Sequence, residues 1–464
     1  MSSVPQVAEA MQRVLTTHAK AIERETGFVE RSTAQLDGPI FAQTTVMCWM
    51  DNPEASYSQL QHVASSLGVQ VSNQAIEQRF GAPSAALMRG VLEEAVSQVI
   101  SSEATAPEVL GRFNGVYLQD GTVISLPAAL AQSWPGCGGN TPEAGQSSLR
   151  AQVRLELSQG QMQGPWLQPG RAAERSGQAH ETPLPVGCLY NVDSGYFTLA
   201  EMGRHGKQGH FWLTQAKANL KLYDRRGQCG DLLDVLEAQH SDTIDLQVQV
   251  GVQERLAARL IAVRLSPEQV KARCERANKQ YEGPPKGCQP PGKGRRTIDG
   301  KRQRWRKNRR VSPARERLKE WTVLLTNVPQ EQLSVEEALV LARCRWQIEL
   351  LWKLWKQYGK LDTWRSMKPY RVLTEIYAKL LGLVITHWLT LLGCWQAPNR
   401  SLVKAKQVVQ WMAPVLVLAL AGDVPMERVV QRTAATMQRG CTLDSRRKQP
   451  NTSQLVDNPK LNSS

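Results

Sequence analysis

Three charged residues near position 350 have the types and spacing of a chemical site. In the segment ARCRWQIELLWKLWK, residues 342–356, Arg345 and Glu349 are four residues apart, and Lys356 follows Glu349 by seven. No Pro or Gly interrupts residues 335–356, so we expect one long helix that carries all three side chains on one face. Such a face is either a salt-bridged helix surface or a site where a carboxylate ligates metal and cations bind phosphate.

The segment before residue 113 is predicted to be helical, because apolar residues recur at spacings of three and four. Within it, residues 57–80 indicate a helix, a turn at Gly68, and a second helix with Ser72 as its N-cap. The pattern resembles a helix-turn-helix, and an ordinary helical hairpin is the alternative. In a helix-turn-helix the second helix would offer these side chains to DNA: Asn73, Gln74, Gln78 and Arg79.

Strand patterns begin at residue 113. The sequence VYLQDGTVISLP has two alternating runs around Asp120 and Gly121, which predict a β-hairpin. Residues beyond 334 return to a helical pattern. Further short alternating or apolar runs predict strands near residues 153–157, 188–193, 210–213, 243–265 and 321–328.

A basic segment at residues 283–319 is the sharpest change of composition in the chain. Residues 286–319 contain fourteen Lys and Arg against two acidic residues, and four Pro stand between 284 and 291. This composition predicts a mobile arm that tracks phosphates, with Arg304, Trp305 and Arg306 as contacts; a merely solvated loop is the alternative. The whole chain has a formal charge of +15, which favours nucleic acid as the partner.

Several classes of protein are disfavoured by the sequence. The nine Cys form no CxxC pair, which argues against a disulfide framework or a zinc ribbon and fits a reducing cytosol. No HExxH, GxSxG or GxxxxGK(S/T) pattern occurs, so neither a His-based hydrolase nor a nucleotide cofactor is expected. The N-terminus lacks the apolar run of a signal peptide, and the apolar stretches 378–395 and 414–421 are expected to be buried helices rather than membrane spans.

The residues Arg345, Glu349 and Lys356 resemble the Y-x2-R-x3-E-x6-K helix signature of bacterial insertion-sequence DDE transposases, in particular the insertion sequence four family. The upstream sequences VYLQDGTVISLP and NVDSGYF resemble the two aspartate motifs of that family, in the right order. One position departs from the pattern, because Ala342 stands where the family has its Tyr.

The resemblance implies a metal-dependent active site. Asp120, Asp193 and Glu349 would be the catalytic residues and the ligands of Mg²⁺ or Mn²⁺, with two ions expected. Arg345, Lys356 and, more weakly, Lys353 would bind DNA phosphates, although Lys353 is also placed to pair with Glu349.

The fold implied by the resemblance is a multi-domain α/β structure. An RNase H-like mixed sheet flanked by helices would occupy residues 113–200 and 321–395, interrupted by a β-rich and basic insertion at 201–320. A helical DNA-binding region would precede it at 1–112. A helical C-terminal region with a disordered tail would follow at 396–464.

The implied function is transposition of an insertion sequence. The protein would bind the terminal inverted repeats of double-stranded DNA as a homodimer, hydrolyse the element ends, and join the freed 3′-hydroxyl to target DNA in a bacterial cytoplasm, associated with the nucleoid. Neither a membrane nor a nucleotide cofactor is expected. An RNase H-like nuclease without strand transfer, and an inactive DNA-binding derivative, are the alternatives. Some relatives stack a flipped base on a Trp, for which Trp212, Trp305 and Trp321 are candidates.

Overall fold

The chain folds as two compact units. A computed structural model describes residues 3–30, 34–102, 106–138, 145–224, 226–282, 313–395, 399–443 and 456. The first unit is discontinuous in sequence and comprises Met1–Asn191 and Arg343–Ser464, whereas the second is Val192–Ala342. The domain bounds predicted at 112, 200, 320 and 395 stay predictions.

The N-terminal part of the first unit is helical, as the periodicity predicts, and its described residues up to 111 contain no strand. Ser3 and Asp37 cap two of its helices by accepting hydrogen bonds from the backbone N–H of Gln6 and Ile40. The α-helices of this part are Val4–Gln12, Ala19–Ile22, Gly38–Asp51, Tyr57–Ser66, Asn73–Gln78, Ala82–Ser97 and Glu108–Gly111, and Arg13–His18 is a π-helical turn.

The predicted helix, glycine turn and helix within residues 57–80 are confirmed as local structure. Tyr57–Ser66 and Asn73–Gln78 are the two helices, and Gly68 lies between them with φ +84°. Such a φ is rare for residues with a Cβ, so a glycine suits this turn. The Ser72 hydroxyl accepts a hydrogen bond from the Ala75 N–H at 3.1 Å, as expected of an N-cap.

The first unit also contains four neighbouring strands, in the order β3-β2-β1-β4. The predicted hairpin at Asp120 and Gly121 is wrong, because β1 runs through both residues without a turn. The antiparallel strand β2 pairs with β1 along nine residues, so the ladder holds this Asp-Gly pair extended. The strands are β1 Val116–Ser125, β2 Ser148–Glu156, β3 Met162–Pro169 and β4 Leu189–Val192.

Strand β3 is missing from the sequence prediction. It contains Gly164 and Pro165, both of which weaken a strand pattern. It lies at one end of the strand order, where a Pro without an N–H is tolerated. Its partner β2 is buried at every residue. A strand that is buried on both faces does not need to alternate between apolar and polar residues, so only two or three positions of β2 show that alternation in the sequence.

The second unit is built around an antiparallel sheet in the order β5-β10-β9-β8-β6-β7. The predicted strands near 210, 243–265 and 321 are confirmed, whereas the short β6 and β7 are additional. The strands are β5 Phe211–Gln215, β6 Lys221–Tyr223, β7 Cys229–Asp231, β8 Thr243–Val250, β9 Leu256–Arg264 and β10 Trp321–Thr326, and the helices are Leu199–Lys207, Leu232–Glu237, Pro267–Glu282 and Pro313–Leu318. Most of the predicted basic arm, residues 283–312, lies outside the described residues.

The C-terminal part is helical, as predicted, and returns to the first unit. Its helices are Trp346–Lys353, Pro369–Gly393, Leu402–Ala421 and Met426–Gly440. The run 414–421 is not a short separate helix but the second half of Leu402–Ala421, which continues through Pro414. By length and composition Pro369–Gly393 and Leu402–Ala421 could each cross a membrane, and 94% and 44% of their apolar windows are buried in the protein. The mixed α/β class with helical ends is therefore confirmed.

His387, on the long buried helix Pro369–Gly393, should make stability depend on pH. Its Nε2 lies 2.7 Å from the Gly160 carbonyl oxygen, and burial lowers the pKa of His387 to about 4. The unfolded chain binds this proton near pH 6.5 and the folded chain only near 4, so the free energy of unfolding falls between these values as the pH decreases.

The free energy of unfolding should fall less with decreasing pH in the His387→Gln variant than in the wild type. We expect this difference to be up to ~3 kcal/mol. Denaturant unfolding at pH 7 and at pH 4.5 measures it. Replacement of the exposed His62 by Gln is the control and should change the pH dependence little. An unaltered loss in the His387 variant would contradict a neutral buried imidazole.

Candidate active site

The predicted long helix around Glu349 is interrupted. Val335–Cys344 ends before Arg345, Trp346–Lys353 follows, and Leu354–Tyr358 continues as a π-helical turn. We call Trp346–Lys353 the Glu349 helix. Its apolar side buries Ile348, Leu351 and Trp352, and this burial holds the helix on the first unit. A π turn inserted in a helix is rare and often marks a functional segment.

Arg345 and Glu349 form an ion pair, one of the alternatives that their spacing allows. Arg345 Nη2 lies 2.7 Å from Glu349 Oε1, and the two side chains are 29% and 32% exposed. Lys353, the alternative partner one turn beyond Glu349, is exposed and makes no ion pair with the described residues. The carboxylate therefore faces the arginine at the start of the helix.

Lys356 lies in the π-helical turn and contacts the strand that contains Asp120. Its Nζ donates a hydrogen bond to the Val123 carbonyl oxygen at 3.3 Å. Asp120 and Val123 both belong to β1. The Lys356 ammonium group therefore lies next to the strand that contains Asp120.

Asp120 lies in the middle of β1 and is half-buried. Its Oδ1 accepts a hydrogen bond from the Gly121 N–H at 2.8 Å, and it stands opposite Val153 of β2. The Glu349 helix packs against β1 within the first unit. Tertiary packing therefore brings together the elements of two predicted carboxylates that are far apart in sequence.

Asp193 directly follows β4, as expected of an acid at the end of a strand. It is half-buried, and its Oδ1 accepts a hydrogen bond from the Ser194 N–H at 2.6 Å. Asp193 belongs to the second unit, whereas Asp120 and Glu349 belong to the first. Within the described ranges, no group of three or more His, Cys, Asp or Glu side chains is arranged to hold a metal ion.

The candidate DNA contacts on the second helix of residues 57–80 fall into two groups. Asn73, Gln74 and Gln78 are exposed, although the Asn73 amide also donates to the Ser58 hydroxyl. The Arg79 guanidinium instead lies inside the unit, where it donates to the Leu36 carbonyl oxygen at 2.9 Å.

Two other contacts explain the placement of Arg79. Its guanidinium lies 3.9 Å from the centre of the Phe28 ring, a cation–π contact. Burial lowers the pKa of Arg79 from its usual value, with Asp37 and Glu23 opposing the shift. The candidate DNA contacts of the basic arm lie outside the described residues; they are Arg304, Trp305 and Arg306.

The tryptophans named from the sequence differ in accessibility. Trp212 and Trp321 are buried, with 1% and 3% of their surface exposed, and Trp305 is not among the described residues. Trp346, which the sequence analysis did not single out, is 57% exposed at the start of the Glu349 helix. It offers an aromatic face on which a nucleobase can stack. A Trp directly beside Arg345 was the available signal in the sequence.

Comparison with known proteins matches more than half of the chain to one family. Residues 112–385 match the transposase DDE domain family. The chain is 24% identical over 402 residues to the transposase for insertion sequence element IS231F of Bacillus thuringiensis subsp. israelensis, which covers 81% of this chain and 78% of that relative. It is 22% identical over 337 residues to the transposase for insertion sequence element IS1151 of Clostridium perfringens, covering 68% and 66%.

The Arg345–Glu349 pair should contribute little to stability, because both side chains are partly exposed. We expect Glu349→Gln to change the free energy of unfolding by less than about 1 kcal/mol. Denaturant unfolding measures this value.

Glu375 is the matched comparison, since it also pairs with an arginine four residues away at 2.7 Å but is only 4% exposed. Glu375→Gln should cost ~3–5 kcal/mol, because it leaves buried cations without their counter-charge. Equal losses for the two variants would show that the Glu349 pair is structural.

Proposed function

The chain belongs to the transposase DDE domain family, and from that premise we propose that it is the transposase of an insertion sequence. It binds the element ends, cleaves the DNA phosphodiester bonds by hydrolysis, and joins the freed 3′-hydroxyl to target DNA. The observation that carries this proposal is the packing of the Glu349 helix, with its Arg345 pair, against the strand of Asp120.

Asp120, Asp193 and Glu349 are the proposed catalytic residues and metal ligands. All three are carboxylates, whose oxygens are the donors that Mg²⁺ and Mn²⁺ prefer, and all three are partly exposed. Two such ions, when bound, neutralise charge on the attacking and leaving oxygens and lower the pKa of a bound water. In the RNase H-like core typical of this family, Asp120 lies on the first strand and Asp193 ends a neighbouring one.

Arg345 and Lys356 are the proposed phosphate-binding residues, with Lys353 as a weaker one. Arg345 holds the Glu349 carboxylate in one orientation while no DNA is bound. A DNA phosphate can then accept some of the hydrogen bonds of the Arg345 guanidinium, because an arginine can donate to two acceptors at once. The same exchange frees lone pairs of Glu349 to act as a ligand.

DNA recognition is assigned to the helical N-terminal part and to the basic arm. Asn73, Gln74 and Gln78 are exposed on the second helix of residues 57–80, where amide side chains can read adenine edges. Arg79 stabilises the fold around that helix through Phe28 and Leu36. A homodimer on DNA, a cytoplasmic location, and the lack of a membrane or nucleotide cofactor belong to the same proposal.

An inactive DNA-binding derivative is the second candidate, because Ala342 replaces the signature tyrosine. A phenol there could hold DNA but is not needed to ligate metal. Restoring it by Ala342→Tyr is therefore a direct comparison. An RNase H-like nuclease is distinguished by its products, since it would cut the ends without joining them.

We expect each of Asp120→Asn, Asp193→Asn and Glu349→Gln to abolish end cleavage and strand transfer while end binding is retained. The substitutions preserve side-chain shape and remove a negative ligand. Cleavage and joining are measured with Mg²⁺ or Mn²⁺ on DNA that carries the termini of the element encoding this chain.

Glu93→Gln is the matched control, since Glu93 also forms an ion pair with an arginine four residues away, Arg89, and both side chains are exposed. It should leave both reactions unchanged. A silent substitution among the three proposed ligands would overturn its assignment. If wild type binds the ends but never cuts and Ala342→Tyr does cut, the inactive derivative is correct.

Gln74→Ala and Gln78→Ala should each weaken binding to the element ends by ~1–3 kcal/mol, because a side-chain contact to a base edge is lost. Competition between end DNA and scrambled DNA at fixed salt measures the loss of specificity. Gln12→Ala, at an exposed helical position outside residues 57–80, is the control. Unchanged discrimination in all three variants would indicate that the two helices are an ordinary hairpin.

A further inference from the structure

The last described helix, Met426–Gly440, is strongly amphipathic. Its apolar side packs into the first unit, with Met426, Val430 and Met437 buried. Its opposite side presents Arg428, Arg432, Thr436 and Arg439 to solvent. Because residues four and seven apart share a helix face, the three arginines form one row, which we call the arginine row.

The arginine row differs from three surface arginines of the first unit that are paired with acids. Arg13, Arg89 and Arg112 each pair with a glutamate at 2.9 Å. By contrast, the arginine row makes no ion pair or side-chain hydrogen bond with any residue in the described part of the chain. Relative to the described residues, three guanidinium groups therefore keep their donors available along one surface, and each can bind an anion in two-point fashion.

The arginine row borders a groove of about 430 Å³ between this helix and Leu402–Ala421. Thr436 and apolar side chains, including Met412, Val415 and Val424, form the rest of its lining. Among the residues that the structure describes, no acidic side chain lines the groove. A surface with free guanidinium groups and no carboxylate among its lining residues is complementary to an anionic partner.

We propose that the arginine row is a second DNA-contacting surface, which binds backbone phosphates of duplex DNA without reading its sequence. The rise of an α-helix places Arg428 and Arg432 ~6 Å apart along the axis and Arg439 ~10 Å further on. Such a row spans several phosphates, because duplex DNA carries one charge per ~1.7 Å of its axis. The inference takes its partner, DNA, from the proposed function.

The test is the salt dependence of DNA binding by the full chain. Fluorescence anisotropy is measured with end DNA and with scrambled duplex of the same length, at several salt concentrations. Each phosphate contact contributes ~0.9 to the slope of log K against log salt. Replacing all three arginines by Gln should lower the slope by ~2.7 for both DNAs. Discrimination between them should stay the same.

Two control variants make the result specific. Replacement of the three arginines by Lys keeps the charges and should keep most of the slope. Arg13→Gln, Arg89→Gln and Arg112→Gln in one protein change the net charge equally and should leave the slope unchanged, because those side chains are already paired. Circular dichroism verifies that each variant is folded.

Three outcomes would overturn the inference. The slope could stay unchanged in the Gln variant, or fall equally in the charge-matched control. Alternatively, sedimentation could show that the Gln variant loses self-association at unchanged slope, which would make the surface an interface between copies. Failure of the proposed function is distinguished separately, because it would appear as absent cleavage with the salt slopes intact.

Discussion

The burial of a charged cluster on the helix Pro369–Gly393 is the constraint on which the first unit depends. Arg371 Nη1 and Lys379 Nζ each lie 2.7 Å from an oxygen of Glu375, and all three side chains are at most 4% exposed. Charges can be removed from water only when partners compensate for the lost solvation. Removal of Glu375 would leave two buried cations without their counter-charge, so both cations depend on this one carboxylate.

This cluster also connects the N-terminal helices to the segment after the Glu349 helix. The Arg371 guanidinium lies 4.3 Å from the centre of the Phe80 ring and 4.5 Å from that of Trp49. At the other end, Lys379 donates to the carbonyl oxygens of Lys360 and Thr363, at 3.1 and 2.8 Å. These carbonyls follow the π-helical turn of Lys356. One buried helix therefore positions both the residues around 57–80 and the chain beyond the candidate active site.

The charged residues of the first unit have three different roles. Some, like Arg371, are buried and neutralised, and they stabilise the packing and orientation of the helices around them. Others, like Arg345, are partly exposed and paired with a carboxylate that an incoming phosphate can displace. The arginine row has no ion-pair partner within the described ranges of the chain. Coulomb interactions weaken with solvent exposure and with salt. These groups therefore make different electrostatic contributions to stability and binding, although the residue types are the same.

The sequence by itself determined the helical and strand-rich parts and the N-cap at Ser72, because these depend mainly on nearby residues. It left open whether Glu349 would pair with Arg345 or with Lys353. It failed at Asp120 and Gly121, where a local turn preference is overridden by the nine-residue ladder with β2. It also could not distinguish Arg79, which is packed on Phe28, from the exposed Gln74 and Gln78.

Only the tertiary structure decided which charges are buried, which are paired and which remain free. Arg371, Arg345 and Arg428 have the same side chain, and their local sequences do not reveal these states. The packing of the Glu349 helix on β1 is likewise a contact between residues more than two hundred positions apart. Burial and long-range packing depend on the whole fold, whereas helix caps and spacings depend only on the adjacent turn.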